Sequence, residues 1–348
     1  MSAEYTTFGL APAMRAGGVL ANGDYQAHRD FVDFIVDGRP LLYQLSDLDA
    51  VSPLASDVPP AIFTAQVRSL LLEADPPLED GRYVIYGCPE CEDLACGAVT
   101  AVIDRHGDDF VWRDFAWQTD EHADLERNGY HGIGPFLFHG DDYRAALSSL
   151  LTGPTGPTGL TGAAGERRRV LLIGARAAVL AKLAAALRII GIGADITRDA
   201  TDVPADELRA YGAVAFGRAV TEQERAAVRE SFEHAGVHVA YVEGLAPIVP
   251  LLVAQIENAL DRSPREQRRL TRLVAADGEA GVEVTSPCRV RLTAYRLDRL
   301  YRTHMHEVFD GVLEAGRHRL PLDARATRGE SFIVARTSGS VLVEAMAR

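Results

Sequence analysis

The sequence predicts a multidomain protein: an acidic α+β domain over residues 1–150, a collagen-like linker over 151–168, a doubly wound parallel α/β domain over 169–264, and a small antiparallel β-sandwich over 265–348. Three observations carry this. Glycine recurs at every third position, Gly153, Gly156, Gly159, Gly162 and Gly165, a Gly-X-Y spacing with proline that favours an extended polyproline spacer. Residues 1–150 hold 9 Arg and 25 Asp plus Glu, net −16, whereas the rest of the 348-residue chain nets +3. The hydrophobic texture also changes along the chain, from mixed periods, to apolar runs alternating with helical patterns, to short β-rich runs after Leu270.

Composition narrows the function classes. At 47% hydrophobic residues the chain can bury ordinary cores. Its acidic half repels nucleic acid and anionic membrane, which leaves a protein partner or a second copy as the expected associate. No 18 apolar residues run uninterrupted and no basic region feeds an apolar run, so a cytoplasmic location is expected. Lys182 is the only lysine, which leaves Schiff-base and Ser-Lys chemistry almost without candidates.

In the first half, residues 31–36 alternate as a strand and Asp37-Gly38-Arg39-Pro40 turns the chain into a predicted helix over 41–48. A second helix is predicted over 61–74, from Ile62, Val67, Leu70 and Leu71. Strands follow at 82–86, 98–104 and 110–116, the last two joined by a hairpin turn at His106-Gly107-Asp108-Asp109. Strict alternation places Phe115 and Trp117 on one face of their strand and Trp112 on the other, an arrangement that core packing explains more simply than a ligand platform.

The most suggestive chemistry is Cys88-Pro-Glu-Cys91-Glu-Asp-Leu-Ala-Cys96. A Cys-x-x-Cys knuckle presents two thiolates on one tight turn, which suits tetrahedral zinc. Cys96 supplies a third ligand and His106, the nearest histidine in sequence, a fourth; His122, His131 and His139 are further choices. Reduced buried thiols and a redox-active Cys88/Cys91 pair are the alternatives. The run Gly81–Thr100, with Val111-Trp-Arg-Asp-Phe115, Gly134-Pro-Phe-Leu-Phe138 and Tyr143–Leu147, resembles a family of small actinobacterial proteins of unknown function. Many of these carry the label oxidoreductase without an evident cofactor motif. That family usually reads Gly-Asp-Leu-Gly between its second and third cysteines, where this chain has Glu92-Asp-Leu-Ala95.

In the second half, Val170-Leu-Leu-Ile173-Gly174 is an apolar strand followed by an alanine-rich helix to about Ile190. Strands at 194–197, 213–217 and 237–242 alternate with helices at 206–211, 221–235 and 247–261, the pattern of a parallel sheet covered on both faces. Thr221-Glu-Gln-Glu224 is a capping box. Such sheets bind ligands at the carboxyl ends of their strands, so Gly174, Arg176, Gly217 and Arg218 form a candidate anion-binding rim. The first turn offers Gly174 alone where dinucleotide binding wants three glycines, so NAD is not expected. The domain looks like a degenerate Rossmann or receiver-type fold, yet Val214-Ala-Phe-Gly217 ends without the aspartate of a phosphoacceptor.

The last 80 residues read as strands at 270–275, 282–285, 289–295, 308–313, 318–322, 331–335 and 341–345. Phe309–Leu322 resembles the Ig-like modules of flagellar hook-capping proteins and secretion-sorting tails, which implies a structural module. His304 and His306 share one side of a strand as half of a metal site, although an exposed strand face accounts for them more simply. Cys288 reads as a small buried hydrophobe. The expectation from sequence is thus a cytoplasmic, modular binding or regulatory protein without a complete catalytic site, with zinc as its candidate cofactor. The rival is a thiol- or metal-dependent oxidoreductase using Cys88 and Cys91.

Overall fold

A computed structural model describes residues 4–19, 24–45, 48–55, 63–91, 93–152, 168–197, 203–244, 246–276, 278–298, 300, 302–323, 326–327 and 329–346. The collagen-like stretch at Gly153–Gly165 lies outside the described residues. The protein is a mixture of α and β structure with one parallel and several antiparallel sheets. It divides into two compact units, Met1–Arg15 with Arg29–Gly162, and Ala16–His28 with Ala163–Arg348. Ala16–His28, read from sequence as part of the acidic half, therefore folds with the second unit, and the chain passes between units after Arg15, after His28 and after Gly162. Among the described residues no helix is long and apolar enough to cross a membrane.

In the first unit β1 (Phe8–Arg15) runs antiparallel to a strand that starts opposite its last residue. Between them the chain visits the second unit, where Gly18–Val19 (β2) and Tyr25–Gln26 (β3) form a two-stranded ribbon. It returns as β4 (Arg29–Val36), with Arg15 opposite Arg29 and Phe8 opposite Val36, and β5 (Arg39–Pro40) completes the sheet. The helix predicted over 41–48 is instead a single 3-10 turn, Leu41–Tyr43. Leu41, Leu42 and Leu45 are all buried there, so burial of three leucines produced a helical spacing without a helix. The helix predicted over 61–74 is shorter, α1 (Phe63–Leu70), and ends before Leu72 turns into the left-handed region at φ 57°.

A second antiparallel sheet follows in the order β6 (Arg82–Tyr86), β7 (Ala98–His106), β8 (Asp109–Gln118) and β9 (Phe136–Phe138), with α2 (Leu125–Asn128) before β9 and α3 (Gly140–Thr152) after it. A bulge in β8 puts Asp114 at φ 56° and sets two of its residues against one of β7. That extra residue reverses the alternation. Trp112, expected on the face opposite Phe115, is therefore buried with it in the same core, ring centroids 6.4 Å apart. The indole N–H of Trp112 donates to the Tyr143 hydroxyl at 3.2 Å, which donates to the Leu70 carbonyl at 2.8 Å. Both aromatic polar ends are thus satisfied, and each ring's burial contributes about 1.5–3 kcal/mol without an offsetting polar loss.

The second unit opens with β10 (Arg169–Ile173), α4 (Ala177–Ile189), β11 (Gly193–Thr197), α5 (Ala205–Leu208), β12 (Ala213–Phe216), α6 (Glu222–His234), β13 (Ala240–Glu243) and α7 (Val249–Leu260). The four strands are parallel in the order β11-β10-β12-β13. Val170, Leu172, Ala213 and Ala215 pack on one face with Leu183 and Leu187 of α4 and Val253 and Ile256 of α7. Leu171, Ile173, Val214 and Phe216 pack on the other with Leu208 of α5 and Val228 and Phe232 of α6. Burial on both faces is why these strands read as continuous apolar runs. At the start of α6 the Thr221 backbone N–H donates to Glu224 at 2.7 Å, and the Glu224 N–H donates to the Thr221 hydroxyl at 3.3 Å, closing the capping box.

The remaining strands are β14 (Leu270–Ala276), β15 (Glu279–Val284), β16 (Cys288–Leu297), β17 (Thr303–Leu313), β18 (Gly316–Pro321), β19 (Glu330–Arg336) and β20 (Val341–Ala345). They form two antiparallel sheets, β14-β15-β18 and β17-β16-β19-β20, around one core that includes Cys288, which is fully buried. The segment Ala16–His28 is held to this unit by backbone bonds from Ala16 to Ser338 at 2.7 Å and from His28 to Ile190 at 2.8 Å. Its His28 lies 3.6 Å from Glu257 of α7, both side chains fully buried, and Arg336 of β19 donates to the other Glu257 oxygen at 2.8 Å.

Candidate functional site

Three cysteine sulfurs converge in the first unit. β6 runs out at Tyr86, and Gly87 is fixed by a two-way backbone bridge with Val51 at 2.9 and 3.1 Å. Cys88 follows directly. The chain turns through Pro89 and Glu90 to Cys91, and a 3-10 turn, Leu94–Cys96, then brings Cys96 back. The Asp93 carboxylate starts that turn by accepting the Ala95 N–H at 2.9 Å, the local competition that favours aspartate at helix starts. The three sulfurs lie within 4.8 Å of one another, with Cys91 and Cys96 3.7 Å apart. The Asp93 N–H points at the Cys91 sulfur at 3.4 Å. Cys88 and Cys91 are half-buried, Cys96 is exposed, and all are free thiols.

Gly97 closes the knuckle under two constraints. Its φ is +94°, and a Cβ there would stand 2.0 Å from the Trp117 ring. Only glycine meets both. Two arginines hold the opposite side. Arg15 donates to Asp49 at 2.8 and 2.7 Å and to Glu90 at 2.8 Å, while Arg29 donates to the Pro89 carbonyl at 2.9 Å. They are cross-strand partners on β1 and β4, so strand register aims both at the Cys-x-x-Cys turn. Burial works against ionisation of Cys88, but the N–H groups of Glu90 and Cys91 and the thiols of Cys91 and Cys96 outweigh it and hold its pKa below the ordinary thiol value. Its hydrogen bond with Cys91, and the charges of Cys91 and Cys88, push Cys96 up to about 11.

His106 does not join the cluster. It ends β7, whereas the cysteines adjoin the start of that strand, and eight residues of extended chain span about 27 Å. It is exposed at the hairpin beside Asp109. His122 stands 3.4 Å from Asp80, and the His139 ring lies against Tyr5, centroids 5.0 Å apart. Among the described residues no histidine shares a ligand cluster with the sulfurs. His304 and His306 likewise meet no third ligand among the described residues; His304 is bonded to Asp298 at 3.0 Å.

The predicted rim of the second unit is brought together. Gly174, Arg176, Gly217 and Arg218 all line one cavity of about 600 Å³ at the carboxyl ends of β10 and β12. The geometry has a topological cause. α4 leaves β10 toward one face of the sheet and α6 leaves β12 toward the other, so the loops between them part. α4 begins at Arg176 without a side-chain cap. Leu297, Asp298 and Glu330 complete the lining, and Arg218 is ion-paired with Glu330. Sequence reasoning missed these three, as it missed Arg15, Arg29 and Trp117 around the sulfurs. Each arrives through tertiary pairing across a long sequence separation, which no local pattern marks.

No protein-family model matches the chain, and neither a curated protein nor a solved structure shows significant similarity to it.

Proposed function

We propose that this chain is a modular binding protein whose first unit holds one zinc ion on Cys88, Cys91 and Cys96. The observation that carries the reading is the spacing of the sulfurs. Ligands at about 2.3 Å on a zinc tetrahedron stand about 3.8 Å apart, and Cys91 and Cys96 are 3.7 Å apart. The Asp93 N–H aimed at Cys91 supports a thiolate there, because a backbone donor stabilises a ligating sulfur and orients it. Thiolate softness favours zinc over magnesium or calcium. With three protein sulfurs, the fourth position falls to water or to a group from a partner. The exposed edge strand β17, with Met305 and Val312 open to solvent, supports a protein partner or a second copy. The finer architecture belongs to the same reading: a doubly wound α/β module and a β-sandwich serve as binding bodies in a cytoplasmic protein.

Metal analysis of the full chain purified without added zinc tests this. One zinc per chain, lost in Cys88→Ser, supports it. The second reading is a dithiol that cycles between Cys88 and Cys91, giving two electrons and two protons to an external disulfide or peroxide. It draws on three free thiols lying within 4.8 Å. A metal-free protein that forms a reversible Cys88–Cys91 disulfide would favour that reading over the zinc site.

A further inference from the structure

We propose that Cys96 is a site of oxidative modification by peroxides, with Cys91 as its resolving partner, and that closure of a Cys91–Cys96 disulfide makes the chain give up its metal. This rests on the zinc reading given above. Cys96 is exposed, whereas Cys88 and Cys91 are half-buried, and oxidation follows thiolate character and access together. The free Cys96 thiol is pushed up to about 11, but a sulfur that ligates a metal is a thiolate. With all three sulfurs in that form, access decides which one meets the oxidant first. Access singles out Cys96.

Geometry supplies the second sulfur as well. Cys91 lies 3.7 Å from Cys96, and a disulfide bond is about 2.05 Å long, so a swing of under about 2 Å closes it. The Asp93 N–H directed at Cys91 at 3.4 Å favours the thiolate that attacks. Cys88 is held on both sides. Gly87 before it is bridged to Val51 at 2.9 and 3.1 Å, the Pro89 carbonyl after it accepts from Arg29 at 2.9 Å, and Glu90 accepts from Arg15 at 2.8 Å. In the first step the Cys96 thiolate attacks one peroxide oxygen and becomes a sulfenic acid; the O–O bond breaks, and the hydroxide released takes a proton to leave as water. In the second the Cys91 thiolate attacks that sulfur, the S–O bond breaks, and hydroxide again takes a proton to leave as water. Two thiolates lose two electrons in all, one peroxide gains them, and two protons come from solvent. Cys88 alone then remains as a ligand where three sulfurs held the ion, so the chain releases its zinc.

The test treats the full chain with one hydrogen peroxide per chain, counts zinc before and after by elemental analysis of the desalted protein, and locates the disulfide by mass spectrometry. Cleavage after Glu90 and Glu92 puts the three cysteines on separate peptides. We expect one zinc per chain to be lost as one Cys91–Cys96 bond forms, Cys88 and the fully buried Cys288 to stay reduced, and dithiothreitol with added zinc to restore the metal. Cys96→His keeps a ligand but lacks the attacked sulfur, so its zinc loss to peroxide should be at least about tenfold slower; should it bind no zinc, the peptide map of the unsubstituted chain decides. Zinc bound before the oxidant and retained after it, with all thiols reduced, would overturn the proposal and spare the zinc reading. Zinc release through a Cys88–Cys91 bond, or through sulfinic acid without a disulfide, would do the same. A chain that holds no zinc before the oxidant would overturn the zinc reading and this switch with it.

Discussion

The cysteine knuckle of the first unit is assembled from nine consecutive residues, Cys88–Cys96, whereas the cavity of the second unit gathers loops near positions 174, 217 and 244 and side chains at 297, 298 and 330. A local site writes its ligands into the spacing of the sequence and hides its supports. A site at a sheet switch point does the opposite: the scaffold is legible in the strand and helix pattern, and the residues that shape its mouth come from elsewhere. The knuckle should therefore fail abruptly when one of its own residues changes, and the cavity gradually, through its lining.

Several substitutions can break or sharpen that contrast. The largest effect should come from Cys91→Ser, which removes the sulfur 3.7 Å from Cys96: zinc should drop from one per chain to near zero by elemental analysis, while the far-ultraviolet circular dichroism of the second unit's elements persists. Next is Glu257→Ala. It takes from His28 and Arg336 the fully buried carboxylate they share, and such losses cost about 3–5 kcal/mol. Urea unfolding should show this as a lower midpoint for the second unit with zinc content unchanged. Gly97→Ala forces a side chain into the Trp117 ring at φ +94°. A cost of about 1–3 kcal/mol is expected, and here zinc affinity should fall together with first-unit stability, measured by chelator competition and urea unfolding on the same samples. Thr221→Ala opens the α6 capping box and should cost about 1 kcal/mol, visible as a small drop in melting temperature with both sites intact.

A pH titration gives the smallest effect and probes the cavity mouth alone. The hydrogen bond from His304, with the N–H groups of Arg302 and Leu300, holds Asp298 down to about 2. Its folded pKa is thus depressed below the ordinary value of about 3.9. The stability it contributes is present above about pH 4 and is lost as pH falls toward 2. Amide chemical shifts of Leu300 and Arg302 should report this titration, and Asp298→Asn should abolish it.

Much of the fold was legible. The strands at 82–86 and 341–345 fall where the apolar pattern put them, because turn residues bound them on both sides. The Thr221 capping box formed because it needs only four consecutive residues. The rim at Gly174 and Gly217 was legible because strands that alternate with helices imply a switch point. What sequence could not show has a common physical cause. The bulge at Asp114 inserts one residue into a strand whose alternation otherwise looks regular, and so Trp112 faces the side opposite to the one strict alternation predicts. His106 is the histidine nearest the cysteines in sequence, yet an extended strand carries it to the far end of β7. The pairing of Arg15 with Arg29 over the Cys-x-x-Cys turn, and the docking of His28 on Glu257, depend on a strand pair interrupted by thirteen residues, Ala16–His28, that fold elsewhere.

Zinc-edge X-ray absorption on the full chain tests the central claim most directly. The account predicts three sulfur scatterers at about 2.3 Å and one lighter oxygen or nitrogen neighbour. A shell of nitrogen and oxygen alone, or zinc retained unchanged when Cys88, Cys91 and Cys96 are all replaced by serine, would contradict it.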